Sequence, residues 1–586
     1  MQVKRLFDIL DNYSEKYPSQ DAALVSKVNG KWQKISIQQY VERTDVLSYA
    51  MLARGIGKGD RVAIVCGNRP EWNMLDFAVM QIGAVSVPIY STISQEDYEH
   101  ILNHAEMKMI VFDSKIIYKR IEKILPNVKT LTEIYIIGDL GTPYPTLEKL
   151  EEIGRQNIDR QKLDKIKAEI SDNDLASIVY TSGTTGKQKG VMMSHANIVN
   201  QLYNLEEIPA KWSKRALSFL PLCHAYERML VYLYQYLGMS VYYAENLGTI
   251  AENIKEINPT MMSCVPRLLD RIYDKLYLTG KKLKFPQKQI YYWAFNEANK
   301  FKIEDRNVIE NIKHKIADKL IYSKWRAALG GNFDIVVSGG SAIRSQVAAF
   351  FSAIGMPVFE GYGLTETSPV IAVSRRGYHQ RRAGTVGVPL PGVEVKISDE
   401  NEIVCRGHNV MMGYYKDPEL TAQVIDQDGW FHTGDLGKFT PEGLVMVTGR
   451  LKNLFKTSFG KYVNPEIVEA KFSESPYISN IIVLGENQKY AAALIVPEFE
   501  NLKIWCNEQG IQIKSLNEAI DNKDVRKLFK EEVQKYNTHF GDYEQIRNFR
   551  LIADEWTPDN FLSQTLKIKR NIIIEHYKET IDKLFV

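Results

Sequence analysis

Cysteine is scarce in this sequence of 586 residues. The five cysteines, Cys66, Cys223, Cys264, Cys405 and Cys506, are scattered, with no Cys-x-x-Cys pair and no Cys/His pair at zinc-binding spacing. An odd, sparse set argues against a disulfide framework and indicates a reducing compartment. Disulfide-rich secreted scaffolds are therefore excluded.

Long apolar runs are also missing. The N-terminal MQVKRLFDILDNYSEKYP mixes Asp, Glu and Lys with apolar residues and lacks the uncharged segment of a signal peptide. The longest uncharged stretch, Met229 to Ala244, is interrupted by Gln235, Gly238 and Ser240 and is shorter than the roughly 20 residues of a membrane-spanning helix. It predicts a buried helix that runs into a strand. We expect a cytoplasmic protein, with peripheral contact to the inner face of the membrane as an open alternative.

A strong excess of one charge is absent as well, because 74 basic and 71 acidic residues give a net charge of +3. So small a net charge disfavours a protein that coats nucleic acid, and no nucleic-acid partner is expected. Hydrophobic residues make up 45% and charged residues 25% of the chain, which argues against disordered and fibrous classes. The length fits one large domain followed by a small one.

Short apolar, β-branched runs alternate with helical patterns through the first three quarters of the chain. This alternation, with helices such as Pro70–Ile82 and Gln95–His104 between the strands, predicts parallel sheets covered by helices on both faces. The predicted strands are Arg61–Val65, Val85–Ile89, Met109–Asp113, Ile134–Ile137, Ser177–Tyr180, Ser240–Tyr243, Ile335–Ser338 and Pro357–Glu360.

After about Thr385 the pattern changes to short segments separated by Gly, Asp and Pro, which predicts an antiparallel appendage. Beyond Gly449 a second αβ pattern indicates a separate small domain, with GRLKN (Gly449 to Asn453) as the candidate hinge. The segments concerned are strands Glu394–Ile397, Glu402–Arg406 and Leu444–Thr448, then a helix from Pro465 and strands Ile481–Leu484 and Ala491–Val496.

The most informative segment is IVYTSGTTGKQKG, from Ile178 to Gly190. A buried strand delivers a run of Thr, Ser and Gly followed by two lysines, which lets backbone N–H groups approach phosphate oxygens beside positive charge. The glycine and lysine spacing differs from that of a Walker A loop. The alternative is a flexible surface turn. The candidate phosphate-binding residues are Thr181, Ser182, Gly183, Thr184, Thr185, Gly186 and Lys189.

Two further loops follow predicted strands. Because ligands bind at the carboxyl ends of parallel strands, all three loops are expected to converge on one nucleotide. In the third loop Tyr362 offers a flat face for adenine, Thr365 a hydroxyl for phosphate and Glu366 a carboxylate for Mg²⁺. Taken singly, each loop has an ordinary turn as its alternative. The residues are Gly339, Gly340 and Ser341 in SGGSAI, and Glu360, Gly361, Tyr362 and Gly363 at the start of EGYGLTET.

Downstream, WFHTGDLG and TGR provide Asp435 and Arg450, which are suited to ribose hydroxyls and to ribose or phosphate. A turn aspartate is the simpler alternative for Asp435. Near the C-terminus SQTLKIKR presents Lys567, Lys569 and Arg570, and a solvated basic face is the simpler interpretation of these three residues.

In this order, TSGTTGKQKG, GYGLTET, TGD and GR-x-K resemble the adenylate-forming (AMP-binding) superfamily of acyl-CoA synthetases, luciferases and peptide-synthetase adenylation domains. The resemblance runs from KYPSQDAAL to Lys567. Within that superfamily, FLPLCHAYER, RRAGTVGVPLPGVEVKI, RGHNVMMGYYKDPE and the long helical segment before Arg326 are similar to long-chain fatty-acid–CoA ligases. Gln188, Asn453 and Gln564 depart from the usual pattern, and none of them removes a reacting group.

The resemblance implies an α/β fold in which a large N-terminal adenylation domain, residues 1–451, contains two αβαβα-type sheet subdomains and a small β subdomain. A mobile α+β C-terminal domain, residues 452–586, would follow and turn about a hinge at Lys452. A monomer or a homodimer is expected.

The resemblance also implies two half-reactions. A long-chain fatty acid attacks ATP to give acyl-AMP and pyrophosphate, and CoA then attacks the acyl-AMP. Glu366 and Thr185 would hold Mg²⁺, and Lys567 would bridge the carboxylate and the α-phosphate. His224 would be a gate beside the carboxylate, with a satisfied core histidine as the alternative.

In the second half-reaction, rotation about Lys452 would bring the segment from Lys456 to Lys461, with Ser458 and Gly460, towards CoA. The alternative acceptor is the pantetheine thiol of a carrier protein.

Two regions concern the acyl substrate. Met229–Tyr243, with Met261 and Met262, is a candidate lining for an apolar tunnel, or else ordinary core. Lys281–Trp325, basic and aromatic, is a candidate surface for an anionic membrane, or else a solvated helical face.

Overall fold

The strands of the described residues form five sheets. A computed structural model describes residues 2–182, 188–513, 515–557, 560–563 and 567–585. In these ranges the strands are β1 (Leu24–Val28), β2 (Lys31–Ile35), β3 (Arg61–Val65), β4 (Val85–Pro88), β5 (Met107–Phe112), β6 (Glu133–Ile136), β7 (Leu175–Ser182), β8 (Gln188–Ser194), β9 (Arg215–Ser218), β10 (Ser240–Tyr243), β11 (Met261–Cys264), β12 (Ile335–Ser338), β13 (Val358–Tyr362), β14 (Ala372–Val373), β15 (Val388–Pro389), β16 (Val393–Ile397), β17 (Glu402–Gly407), β18 (Gly413–Tyr414), β19 (Phe431–Phe439), β20 (Val445–Arg450), β21 (Phe455–Lys456), β22 (Tyr462–Val463), β23 (Ile478–Leu484), β24 (Ala491–Pro497) and β25 (Ile546–Leu551).

Helices lie between most of these strands. They are α1 (Asp8–Lys16), α2 (Ile37–Ala53), α3 (Pro70–Gln81), α4 (Gln95–His104), α5 (Lys115–Ile121), α6 (Leu147–Gln156), α7 (Arg160–Glu169), α8 (His195–Leu205), α9 (Ala225–Tyr236), α10 (Ile250–Ile257), α11 (Pro266–Lys281), α12 (Gln287–Asn299), α13 (Val308–Ala317), α14 (Ser323–Ala328), α15 (Ser345–Ala353), α16 (Pro418–Val424), α17 (Pro465–Phe472), α18 (Phe499–Glu508), α19 (Leu516–Asp521), α20 (Lys523–Asn537), α21 (Arg570–His576) and α22 (Lys578–Asp582). Across the described ranges, no helix is both long enough and apolar enough to cross a bilayer.

Two large sheets carry most of the N-terminal part. One has the order β18-β8-β7-β4-β3-β5-β6, with a parallel centre and an antiparallel edge made by β7, β8 and β18. The other has the order β15-β14-β13-β12-β11-β9-β10-β1-β2 and is parallel from β13 to β1. The predicted α/β class, with parallel sheets and interleaved helices, is confirmed.

Smaller sheets follow. The predicted antiparallel appendage is the four-stranded sheet β16-β17-β19-β20. The C-terminal part has a three-stranded sheet, β23-β24-β25, and a two-stranded hairpin, β21-β22. The predicted α+β character of this part is confirmed, since α17 to α20 are interleaved with these strands.

The predicted strands are present: β3, β10 and β12 have the predicted bounds, and the ends of the others differ by at most three residues. The uncharged stretch from Met229 to Ala244 is a helix running into a strand, as predicted, because α9 is followed by β10. The strands that were missed are short or carry polar residues, so their sequence lacks the apolar, β-branched pattern that marked the others. They are β1, β2, β8, β9, β11, β14, β15, β18, β19, β21, β22 and β25.

Helices α3 and α9 are buried along almost their whole length. A buried ion pair joins them, with Arg228 Nη2 2.5 Å from Asp76 Oδ1. The same guanidinium donates to the hydroxyl of Ser177 on β7 (2.6 Å), and that hydroxyl donates to the carbonyl of Ser86 on β4 (2.7 Å). The network therefore ties α9, which precedes β10 of one large sheet, to two strands of the other.

We expect Arg228→Met to lower the free energy of unfolding by about 3–5 kcal/mol, because it leaves the Asp76 carboxylate buried without its partner. Urea denaturation followed by circular dichroism would measure the change. Lys34→Met, which breaks the exposed pair with Asp21, is the control and should cost less than about 1 kcal/mol. Equal losses in the two variants would contradict the structural importance of the buried pair.

Candidate active site

One cavity of about 1130 Å³ lies where the strand-end loops of the two large sheets meet the C-terminal part. Ordinary small-molecule pockets have roughly 300–1000 Å³, so this one has room for more than one ligand. The predicted site residues that line it are Thr181, His224, Gly339, Gly340, Gly361, Tyr362, Gly363, Thr365, Glu366, Arg450 and Lys567. The fold thus brings predicted residues from distant segments of the chain to one place.

A connected group of polar side chains stands at the end of β13. The Tyr362 hydroxyl donates to Asp435 Oδ2 (2.9 Å), and Arg450 Nε is 2.9 Å from Asp435 Oδ1. Asp435 and Arg450 are register partners on β19 and β20. Burial raises the pKa of Asp435, and the guanidinium of Arg450 opposes this rise. Asp435 therefore lies behind Tyr362 and Arg450, which form the cavity wall in front of it.

A second chain of contacts leads from β8 to Glu366. The ammonium of Lys189 lies 4.8 Å from the centre of the Tyr414 ring, and the Tyr414 hydroxyl donates to Glu366 Oε1 (2.9 Å). Glu366 and the neighbouring Thr365 face the cavity. Carboxylate and hydroxyl oxygens suit Mg²⁺, which binds through one or two carboxylates together with substrate phosphates. The oxygen donors at this wall therefore fit the predicted metal.

Lys567 and His224 face the same space from opposite parts of the chain. His224 is the N-cap of α9, and its Nδ1 accepts from the backbone N–H of Tyr226 (3.2 Å). Burial and then the positive charge of Lys567 lower the pKa of His224 to about 4, so the ring is neutral at pH 7. Removal of the ammonium group from water, and then the positive charge of Arg450, lower the pKa of Lys567. Part of its side chain is nevertheless exposed to solvent.

The inner wall of the cavity is apolar. Tyr226, Met229, Leu230 and Leu233 line it, and their spacing places them on one face of α9. Met261 on β11 also lines the cavity.

Its neighbour Met262, also predicted for the lining, packs in a different core cluster, because adjacent strand residues point to opposite faces. The prediction that Met262 lines the cavity is therefore wrong.

Several predicted site residues lie elsewhere. Glu360 is buried on β13, where burial raises its pKa to about 8, and Ser341 is exposed. Lys452 is exposed in the 3₁₀ turn Leu451–Asn453. Ser458, Gly460 and Lys461 form the exposed end of the β21-β22 hairpin, away from the cavity lining.

The centre of the predicted phosphate-binding loop lies outside the described residues. The predicted residues concerned are Gly183, Thr184, Thr185 and Gly186. Ser182 is described only as the backbone end of β7, where it pairs with Gln188 on β8.

Two histidines beside the predicted phosphate loop were missed. His104 Nδ1 lies 2.8 Å from the Tyr180 hydroxyl, and His100 Nε2 lies 3.0 Å from the carbonyl oxygen of Gln188. The two rings stack with centroids 5.2 Å apart. Tyr180 and Gln188 belong to the strands on either side of the loop, so helix α4 holds both strands. The i, i+4 spacing of the histidines was the available signal.

The fold and the cavity indicate the class of protein: an α/β enzyme with a nucleotide-sized cavity at the strand ends and a lysine from the C-terminal part facing it. Comparison with protein families indicates the same class. The description "AMP-binding enzyme" fits residues 10–415, and "AMP-binding enzyme C-terminal domain" fits residues 453–586. The chain belongs to the family of AMP-binding enzymes.

Curated relatives extend over nearly the whole chain. The chain is 29% identical to the long-chain-fatty-acid–CoA ligase FadD15 of Mycobacterium bovis, over 95% of this chain and 93% of the relative. It is 31% identical to long-chain-fatty-acid–CoA ligase 5 of Rattus norvegicus, over 95% of this chain and 85% of the relative.

Solved structures have the same fold. The anthranilate CoA ligase AuaEII in complex with anthranoyl-AMP gives a TM-score of 0.74 at 19% identity, over 99% of this chain and 98% of that one. The fatty acyl CoA synthetase of Mycobacterium tuberculosis gives 0.64 at 19% identity, over 98% and 99%.

We expect His104→Phe to raise the Kd for ATP by about two- to tenfold, because it removes a hydrogen bond worth about 0.5–1.5 kcal/mol while keeping a ring beside His100. Isothermal titration calorimetry would measure it. Asn103→Ala, on the exposed side of the same helix, is the control and should bind ATP as the unmodified protein does. Unchanged ATP binding in His104→Phe would refute a positioning role for this ring.

Proposed function

We propose that the chain is a long-chain fatty acid–CoA ligase, which forms acyl-AMP and pyrophosphate from a fatty acid and ATP and then acyl-CoA and AMP. One observation carries the proposal: a single cavity is lined by a lysine, a carboxylate and strand-end loops and also by an apolar helix face. Such a cavity can hold a phosphate-bearing nucleotide and an alkyl chain together. The names of the curated relatives support the same reaction.

In the first half-reaction a fatty carboxylate attacks the α-phosphorus of ATP, and pyrophosphate leaves. Two anions must approach each other, so catalysis depends on positioning and on positive charge. Lys567 would bridge the carboxylate and the α-phosphate. Arg450 adds a second positive charge nearby, and the neutral ring of His224 adds none.

The remaining polar residues would bind the nucleotide. Tyr362 would stack on adenine, and Asp435 would accept from the ribose hydroxyls. The second and third strand-end loops, with Gly339, Gly340, Ser341, Glu360, Gly361 and Gly363, would surround it. Thr181, Ser182, Thr184, Thr185 and Lys189, with the backbone of Gly183 and Gly186, would hold the β- and γ-phosphates. Glu366, with Thr185, would hold Mg²⁺, which neutralises phosphate charge when bound.

Thr365 would contribute a hydroxyl to the phosphates, since it faces the cavity beside Glu366.

The apolar part of the cavity would select the fatty acid by the length of its alkyl chain. Burying a methylene contributes ~0.8 kcal/mol, so a sixteen-carbon chain carries on the order of 10 kcal/mol of transfer energy. Met229, Leu230 and Leu233 on α9 and Met261 on β11 would receive this chain. His224 stands between that wall and Lys567, where the carboxylate would lie.

For the second half-reaction we propose a boundary between residues 451 and 452, with Lys452 as the hinge. The two family matches leave residues 416–452 between them, which is compatible with a boundary there. Lys567 faces the cavity while Ser458, Gly460 and Lys461 do not, which is the arrangement expected for the first half-reaction. Rotation would exchange them and admit CoA.

The protein would work as a monomer or homodimer in the cytoplasm, in peripheral contact with the inner face of the membrane, where long-chain acids are dissolved.

The defining experiment supplies ATP, Mg²⁺ and CoA with acids from acetate to behenate and measures AMP. We expect AMP formation to be greatest with long-chain acids and to require CoA, because the apolar wall rewards each added methylene. Product analysis is the control: acyl-CoA must accumulate in step with AMP. Transfer only to a carrier-protein thiol, or the highest rate with acetate, would contradict the proposal.

Lys567→Ala should slow acyl-AMP formation by about 10²–10³-fold, the usual effect of losing one preorganised donor. It should leave thioester formation from supplied acyl-AMP near normal. Lys578→Ala, an exposed lysine on α22, is the matched control and should retain both rates. If both half-reactions fell equally in Lys567→Ala, the proposed role would be wrong.

Lys452→Pro should trap the arrangement in which Lys567 faces the cavity, because proline fixes φ at the turn. We expect acyl-AMP formation to continue while acyl-CoA formation falls by at least about tenfold. Lys452→Ala keeps the backbone free and should retain both activities. Normal overall turnover in Lys452→Pro would refute the hinge.

A further inference from the structure

Helix α13 and the turn after it expose a continuous row of large apolar side chains, which we call the apolar stripe. Val308 is 74% exposed, Ile309 66%, Ile312 53%, Ile316 47% and Leu320 42%. In a helix of 3.6 residues per turn, the four positions on α13 fall on one face, and Leu320 follows in the π-helical turn Asp318–Tyr322. Single exposed apolar residues are ordinary, but five on one helix face indicate an interaction surface.

The opposite side of this segment is well anchored. Ala317 is buried, and the Tyr322 hydroxyl donates to the carbonyl of Ala294 on α12 (2.9 Å). Asn307 and Glu310 form a reciprocal capping box at the N-terminus of α13. Contacts with the rest of the protein therefore hold one side of α13, and the apolar stripe lies on the opposite, exposed side.

Positive charge predominates in the segment that contains the stripe. Residues 281–325 contain 11 Lys and Arg against 5 Asp and Glu, a local charge of +6 in a chain whose total is +3. Lys315 and Lys319 are exposed and follow Ile312 and Ile316 by three residues, so each lies on a neighbouring part of the helix face. Lysines beside an apolar face can bury their methylenes while the ammonium reaches an anionic headgroup.

We propose that α13 is the membrane-docking element of this protein and lies in the headgroup region of an anionic bilayer, with the apolar stripe turned towards the acyl chains. The inference deepens the proposed function, on which it rests for the lipid nature of the substrate. Charge favours a bilayer over a second copy of the chain, because two copies paired through this surface would bring like-charged lysines together. None of the five stripe residues lines the cavity, so docking and catalysis are separable.

The test is cosedimentation of the full chain with vesicles of phosphatidylcholine alone or of phosphatidylcholine with phosphatidylglycerol. We expect binding to the anionic vesicles only, and weaker binding in high salt, because the lysine contribution is screened. The double variant Ile312→Asp/Ile316→Asp should bind at least about tenfold more weakly. Lys315→Gln/Lys319→Gln should also lose about tenfold or more.

Ile116→Asp is the control for an equally exposed isoleucine on another helix, α5, and should bind as the unmodified protein does. Ile312→Gln/Ile316→Gln repeats the test with residues that favour helix, in case the aspartates disturb α13. Turnover of palmitate supplied on albumin, without vesicles, should be unchanged in every variant. Absence of palmitate turnover in all the proteins would contradict the proposed function, while the vesicle-binding result would still test the docking surface independently.

The unmodified protein remaining in the supernatant with anionic vesicles would overturn the proposal. So would equal binding by the stripe variants and the control. If sedimentation velocity showed that the stripe variants convert a dimer to a monomer while vesicle binding stayed the same, the stripe would be a self-association surface and the membrane proposal would be wrong.

Discussion

The buried pair between Arg228 and Asp76 is the interaction on which the arrangement of the two large sheets depends. Two charges without water are stable only when they satisfy each other and the polar groups around them. Here the guanidinium also reaches Ser177, which lies four residues before Thr181 on the same strand. The orientation of α9 is therefore fixed relative to the strand that leads to the phosphate loop.

This coupling matters because α9 serves both ends of the cavity. Its N-cap is His224, and one face of the helix forms the apolar wall. A shift of α9 would move the proposed acyl-binding wall relative to the proposed phosphate-binding strand, and small errors in the alignment of reacting groups are costly in a reaction that proceeds by positioning. The buried pair ties that wall to β7, which belongs to the other large sheet.

Much of this architecture could be predicted from the sequence. Strands β12 and β13 are apolar, parallel neighbours, and the polar residues directly after them lie at one edge of their sheet. Other features depend on tertiary structure and leave little local signal. The approach of Lys567 to His224 joins residues more than three hundred positions apart, and a solvated basic face was the simpler interpretation of Lys567 alone. The prediction for Met262 was wrong because side chains alternate between the two faces along β11. The histidines of α4 belong to no known motif, and their i, i+4 spacing is a weak signal.

The proposed wall for the acyl chain comes largely from one face of α9, while the proposed nucleotide-binding residues lie on separate loops. Substitutions at Met229 or Leu233 would therefore reshape the cavity without touching Tyr362, Asp435 or Arg450. Under the proposed function, preference for acids of different length would diverge among descendants of such a chain by single substitutions, while the residues that activate the carboxylate stay unchanged.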